Sequence, residues 1–175
     1  MPFTRRHLPH WIPDDVPVFV TWRLAGSLPT PQSPDPPPSF LQHDDRLHTH
    51  HSGPTWLQNP QIASIVADAL LHGETVRHSY TLHAWVVMPN HAHAIFQPHA
   101  DLSTIMRWLK SRTSRKANQL LGRTGMPFWQ DESFDHWVRT EELDYLIDYV
   151  ESNPVKAGLV PVKAQWPWSS ALGLT

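Results

Sequence analysis

The sequence contains no cysteine. Disulfide scaffolds and thiolate zinc sites are therefore excluded, and the chain suits a reducing compartment. No run approaches the ~18–20 uninterrupted apolar residues of a membrane-spanning helix. The arginine-bearing start, Met1 to His10, is not followed by the apolar stretch of a secretory leader, so a cytoplasmic protein is expected. Also missing are a Walker-type Gly-rich phosphate loop, which argues against ATP-driven chemistry, and any internal repeat. Net charge is low too, at −2 over 175 residues, a length suited to one domain over 1–175.

The charge is unevenly spread. From Leu102 to Arg123 there are six basic residues (Arg107, Lys110, Arg112, Arg115, Lys116, Arg123) and no acidic one. From Asp131 to Glu151 there are eight acidic residues and one arginine, Arg139. A chain divided in this way can present one cationic face while keeping a modest total, although solvated helix surfaces give the same pattern.

Val16 to Leu24 is rich in β-branched and aromatic residues and predicts a strand closed by Gly26. Six prolines between Pro29 and Pro38 predict an extended loop, followed by a histidine-rich polar stretch to Ser52. Asn59-Pro60 opens a helix whose apolar residues recur through Leu71, with Gly73 as its end. Tyr80 to Met88 and His91 to Phe96 read as strands joined at Pro89-Asn90, a hairpin. Ser103 is placed to cap a long helix to about Leu121, stopped by Gly122. Thr140 is placed to cap a last helix that Asn153-Pro154 ends. The order strand, helix, strand, strand, helix, helix predicts an α+β fold, a small antiparallel sheet with helices packed on one face.

His91-Ala92-His93 lies on a predicted strand, where residues i and i+2 point to the same side. Both imidazoles then project together as a bidentate metal platform, while Ala92, Ala94 and Phe96 face the core. His48-Thr49-His50 repeats the triplet in a polar stretch where nothing aims the rings. Tyr149 sits at the edge of the apolar stripe Leu143, Leu146, Ile147 and Val150, with Asn153 four residues on along the same side. A phenol beside an amide oxygen can serve as nucleophile and third ligand; it can equally be an amphipathic tyrosine at a core margin, and Tyr145 competes on the same flank. Trp108, Phe128, Trp129, Trp137, Trp166 and Trp168 are available either to the core or to base stacking.

Taken together, Phe19-Val20-Thr21-Trp22-Arg23-Leu24, Ala84 through Met88-Pro89-Asn90-His91-Ala92-His93, Trp108-Leu109-Lys110, Phe128-Trp129-Gln130, Tyr149 through Asn153-Pro154-Val155-Lys156-Ala157-Gly158, and Trp166-Pro167-Trp168-Ser169-Ser170 resemble the REP-associated tyrosine transposases. These form a branch of the IS200/IS605-like single-tyrosine transposases of the HUH superfamily. The resemblance implies a ferredoxin-like sheet, Tyr149 as nucleophile, and His91, His93 and Asn153 as ligands of Mg²⁺ or Mn²⁺. It also implies cleavage and rejoining of single-stranded or hairpin DNA through a 5′-phosphotyrosine, in the cytoplasm at the nucleoid, by a monomer or homodimer. Arg107, Lys110, Arg112, Arg115 and Lys116 are the expected phosphate contacts, and Arg5, Arg6 and Arg23 the expected contacts to a flanking guide sequence. Two other functions use the same residues: hairpin binding without catalysis, and metal-dependent phosphodiester hydrolysis by water.

Overall fold

A computed structural model of the protein describes residues 16–28 and 53–172. The Pro-rich segment 29–38, the polar stretch with His48 and His50, and Arg5 and Arg6 lie outside the described residues. The elements run β1 (Val18–Arg23), α1 (Pro60–Thr75), β2 (Tyr80–Val87), β3 (His91–Pro98), α2 (Leu102–Leu120), β4 (Phe134–Trp137), α3 (Leu143–Glu151) and the short α4 (Asn153–Lys156). Sheet order is β2-β3-β1-β4, antiparallel at every pairing. The first six elements thus make the split β-α-β-β-α-β of ferredoxin-like folds. Among the described residues no helix is long and apolar enough to cross a membrane.

Alternation along the strands separates two cores. On one face Val18, Val20, Trp22, Ala92, Ala94 and Phe96 meet Ile62, Val66 and Leu70 of α1 and Ile105, Met106 and Leu109 of α2. Ala92 stands directly across from Trp22, so a small side chain is paired with a large one. On the other face Phe19, Ala84, Val86 and Ile95 meet Leu146, Tyr149 and Val150 of α3. The two long helices share one face as expected, and the tyrosine-bearing helix lies alone on the other.

Several expected boundaries move, each for a local reason. Strand β4 was not anticipated: Phe-Asp-His-Trp is short, half-exposed and lacks an apolar alternation, and it forms only because β1 offers a free edge. Gly73 does not end α1 but lies inside it, where an added Cβ would strike the Tyr80 ring; Tyr80 Oη donates to Leu70 O at 2.7 Å. The cap of α2 is Asp101, whose carboxylate accepts from Thr104 N at 3.1 Å, and the Ser103 hydroxyl donates to the same carboxylate. A 3-10 turn, Thr140–Glu142, precedes α3, with the Glu142 carboxylate accepting from Arg139 N at 3.4 Å. Pro154 does not terminate the helical course either. Proline lacks a donor but is tolerated in a helix's first turn. Ser152 stays helical (φ −84°, ψ −4°), so α4 restarts at once.

The segment after α4 returns along the outer edge of β2. Val87 N donates to Trp168 O at 2.8 Å, Ser170 N to Trp85 O at 2.9 Å, and Trp166 Nε1 to Val87 O at 3.0 Å. The Ser170 hydroxyl donates to the buried Glu151 carboxylate at 3.1 Å. Lys163 Nζ bridges Asp148 (2.8 Å) and Glu151 (3.1 Å). The last stretch therefore straps α3 to the sheet.

Candidate active site

His91 and His93 enter β3 on the α3 face, and both are fully buried. Their Nε2 atoms approach to 3.1 Å. Each ring is held from behind. His91 Nδ1 lies 2.6 Å from Asn90 Oδ1, and His93 Nδ1 lies 2.7 Å from Thr21 Oγ1, the residue directly opposite it on β1. An amide oxygen only accepts, so His91 Nδ1 carries the proton and its Nε2 keeps a lone pair. Thr21 Oγ1 can accept in the same way, which leaves both Nε2 lone pairs for one cation; with Thr21 donating instead, His93 Nε2–H donates to His91 Nε2 across the 3.1 Å contact. Two nitrogens about 2.1 Å from a shared cation can stand at this separation, and rear hydrogen bonds of this kind orient imidazole ligands in metal sites.

Tyr149 is joined to the histidines through Phe19. The Phe19 ring stacks on His93 at 5.4 Å between centroids and meets Tyr149 edge-on at 6.5 Å. Tyr149 is 8% exposed and packs in the core cluster with Phe19, whereas Tyr145 is 61% exposed, its ring 6.5 Å from that of Tyr149. Asn153 follows one turn later and is fully buried. Its Nδ2 donates to Tyr149 O at 3.1 Å, which turns Oδ1 the other way. That oxygen has no hydrogen-bond partner among the described residues. A buried acceptor without a partner costs about 1–3 kcal/mol, unless a cation or ligand answers it. Among the described residues no group of three or more His, Cys, Asp or Glu side chains is placed to hold a metal. Two imidazoles and a neutral amide oxygen fit a divalent cation that also takes phosphate and water oxygens.

The basic residues divide. Arg107, Trp108, Arg112, Arg115 and Lys116 line an open groove on the outer side of α2. Trp108 is its centre, with the Arg77 guanidinium 4.7 Å and the Arg112 guanidinium 5.7 Å from its ring and His72 stacked at 6.0 Å. Lys110 does not belong to that groove. Two residues on from Trp108, at about 100° per residue, it points to the opposite flank. There its Nζ donates to Gln130 O and Asp131 O, both at 2.9 Å. Burial pushes its ammonium down to about 8, against the pull of Asp131 and Glu132. Arg23 stands across from His91 on β1, half-buried, donating to Ser27 Oγ at 3.3 Å. Burial lowers its guanidinium from the ordinary value, with Glu132 opposing. Of the aromatics, Phe128 and Trp129 are core, while Trp108 and Trp137 keep exposed ring surface.

Since α2 covers the face opposite α3, the cationic groove and the histidine–tyrosine site lie on opposite sides of the sheet. Sequence spacing did not reveal Thr21, Asn90 or Phe19 as site residues. Thr21 and Phe19 need the β1–β3 register, and only the adjacency of Asn90 to His91 hinted at its role.

Residues 61–153 match the sequence profile of the family described as "Transposase IS200 like". Over 94 residues the chain is 32% identical to a REP-associated tyrosine transposase of Escherichia coli, a match covering 52% of this chain and 54% of that protein. The chain spans about half the length of the curated relatives it matches. Among solved structures, a REP-associated tyrosine transposase bound to a REP hairpin superposes with a TM-score of 0.61 at 21% identity, covering 93% of this chain and 81% of that one, a likeness of fold. With the profile match reaching from α1 through both histidines and the tyrosine to Asn153, the chain belongs to the IS200-like transposase family.

Proposed function

We propose that the protein cuts and rejoins single-stranded or hairpin DNA by transesterification through Tyr149, the chemistry of DNA transposition. The observation that carries this reading is the convergence of two buried Nε2 atoms at 3.1 Å, with Tyr149 reached through Phe19 and a partnerless amide oxygen at Asn153. His91, His93 and Asn153 would hold a divalent cation, Mg²⁺ or Mn²⁺. When bound, it supplies Lewis-acid polarisation of the scissile phosphate. Asn90 and Thr21 fix the histidine rings, so the ligands need no reorganisation on binding.

Tyr149 Oη attacks in line. Its bond to phosphorus forms as the bond to the 3′ oxygen breaks; the phenol proton leaves to solvent and the 3′ oxygen gains one. The products are a 5′-phosphotyrosine and a free 3′-OH. A 3′-OH from another strand reverses the step and joins new ends, and no ATP is consumed because the phosphodiester energy is kept. An imperfect palindromic hairpin is the substrate that suits a site with one nucleophile. Arg107, Arg112, Arg115 and Lys116 hold backbone phosphates on the far side of the sheet, away from the strand being cut. A DNA substrate sets the work of the protein in the cytoplasm beside the nucleoid.

The test is a denaturing gel of end-labelled single-stranded hairpin DNA incubated with protein and Mg²⁺ or Mn²⁺. A covalent protein–DNA band is expected, absent in EDTA. His91→Ala and His93→Ala each remove it, and the double variant is no worse than either, because the two act as one site. Cleavage without an adduct would refute the tyrosine chemistry, and undiminished activity in EDTA the metal.

A further inference from the structure

The helical course through Ser152 carries a third polar side chain on the Tyr149 stripe. Residues 149, 153 and 156 are spaced i, i+4 and i+7, which puts them on one face of a continuous helix. The course is continuous enough for this: Lys156 N donates to Ser152 O at 3.0 Å and Ser152 N to Asp148 O at 2.9 Å. Lys156 Nζ accordingly lies 3.9 Å from the centroid of the Tyr149 ring. The contact is a cation over the negative face of an aromatic ring.

The neighbouring cations are otherwise engaged. Lys163 is held between Asp148 and Glu151, Arg23 is half-buried against Ser27, and Arg139 lies over Trp137. Lys156 forms no ion pair among the described residues, and its side chain is exposed. Its charge is nevertheless felt along this helix, contributing to holding the Asp148 carboxyl low beside the larger effect of the Lys163 hydrogen bond. A phosphodiester brought to the Tyr149 oxygen therefore comes within reach of an ammonium held over the same ring and without an ion-pair partner among the described residues.

We infer that Lys156 is a catalytic cation of the transesterification: its ammonium grips the scissile phosphate and faces the negative charge that builds between phosphorus and the Tyr149 oxygen. This rests on the reading of Tyr149 as nucleophile. Lys156 keeps its proton throughout; the phenol proton goes to solvent, as above. A cation aimed at developing charge is worth most in the transition state, so its loss falls on the rate rather than on binding.

Two variants of the full chain test this. Lys156→Met keeps the stem over the ring and removes the charge, and Lys156→Arg keeps the charge. Adduct formation is followed in single turnover with saturating labelled hairpin DNA and Mg²⁺, and hairpin affinity is measured in EDTA. The Met variant is expected to form adduct about 10²-fold more slowly, as on loss of one preorganised donor. Its affinity should stay within about threefold, one phosphate contact at most, and its melting temperature should be unchanged. The Arg variant should regain at least about a tenth of the wild-type rate. A Met variant as fast as wild type, one whose affinity falls as far as its rate, or an Arg variant no faster than Met would each overturn the assignment. Absence of adduct from the wild-type chain overturns the tyrosine reading and this one together. Equal rates for wild type and Met overturn this one alone.

Discussion

Replacing Asn153 by alanine separates a ligand from a structural residue. The amide is fully buried, so its removal looks destructive, yet the contributions nearly cancel. Lost is one hydrogen bond, Nδ2 to Tyr149 O, worth about 1 kcal/mol, together with some packing. Relieved is the burial of Oδ1 without a partner, which costs about 1–3 kcal/mol, and alanine is the better helix former by several tenths. Without metal the variant should therefore melt within about 4 °C of the parent, a change of roughly 1 kcal/mol in a chain of this size. Metal should divide them. A cation at a hundredfold excess over its Kd stabilises the parent by about 2.7 kcal/mol, roughly 5–10 °C, and the variant by much less. Adduct formation should fall steeply at limiting Mg²⁺ and recover in part at high Mg²⁺ or with Mn²⁺. The assays are differential scanning calorimetry across a metal series and the adduct gel. If Asn153→Ala unfolds in EDTA, or if parent and variant gain the same metal stabilisation, the amide is a packing element and the third ligand lies elsewhere.

Tyr149→Phe should abolish the covalent adduct and leave hairpin affinity nearly intact, whereas Tyr145→Phe, an exposed position, should change neither adduct nor affinity; adduct lost only in Tyr145→Phe would reassign the nucleophile. Reversing charge at Arg112 and Arg115 should weaken DNA binding and flatten its salt dependence by about 0.7 units of slope per lost phosphate contact on a single strand; an unchanged slope in a salt titration would detach the groove from DNA. Lys110→Met should lower the melting temperature while leaving that slope alone, since the amine serves two backbone carbonyls. Because the Lys110 ammonium is pushed down to about 8 in the fold, the unfolded chain binds more protons between there and its ordinary value of 10.5. Stability should therefore rise with pH across that window and rise less in the Met variant; identical pH profiles would refute the burial argument.

Much of the fold is written in periodicities that survive without tertiary context. The β-branched and aromatic runs of β1 and β2 and the helical recurrence in α1 and α2 each identify an element, and for the helices also the buried face. Strand β4 was invisible because half-exposed Phe134, Asp135 and His136 alternate in no useful way. Gly73 misled because a glycine that makes room for a ring has the same letter as one that ends a helix. At the site, the shared face of His91 and His93 follows from strand geometry, and the nearness of Tyr149 and Asn153 from helix spacing. That Tyr149 and the histidines share one side of the sheet, joined through Phe19, depends on which face α3 covers, and no local pattern encodes this. The same holds for the basic helix: its charge was legible, but its position behind the sheet and the turning of Lys110 toward Gln130 were not.

The strap formed by Trp166, Trp168 and Ser170 also sets an order of events during synthesis. The histidine strands and their helices emerge from the ribosome first. Tyr149 follows, on a helix whose anchors Lys163 and Ser170 are still to come. In a nascent chain the strand with His91 and His93 is thus complete before the helix of Tyr149 has its anchors. The helix that carries Tyr149 is fastened to the sheet only once residues 163–170 have been made, long after the strands it covers.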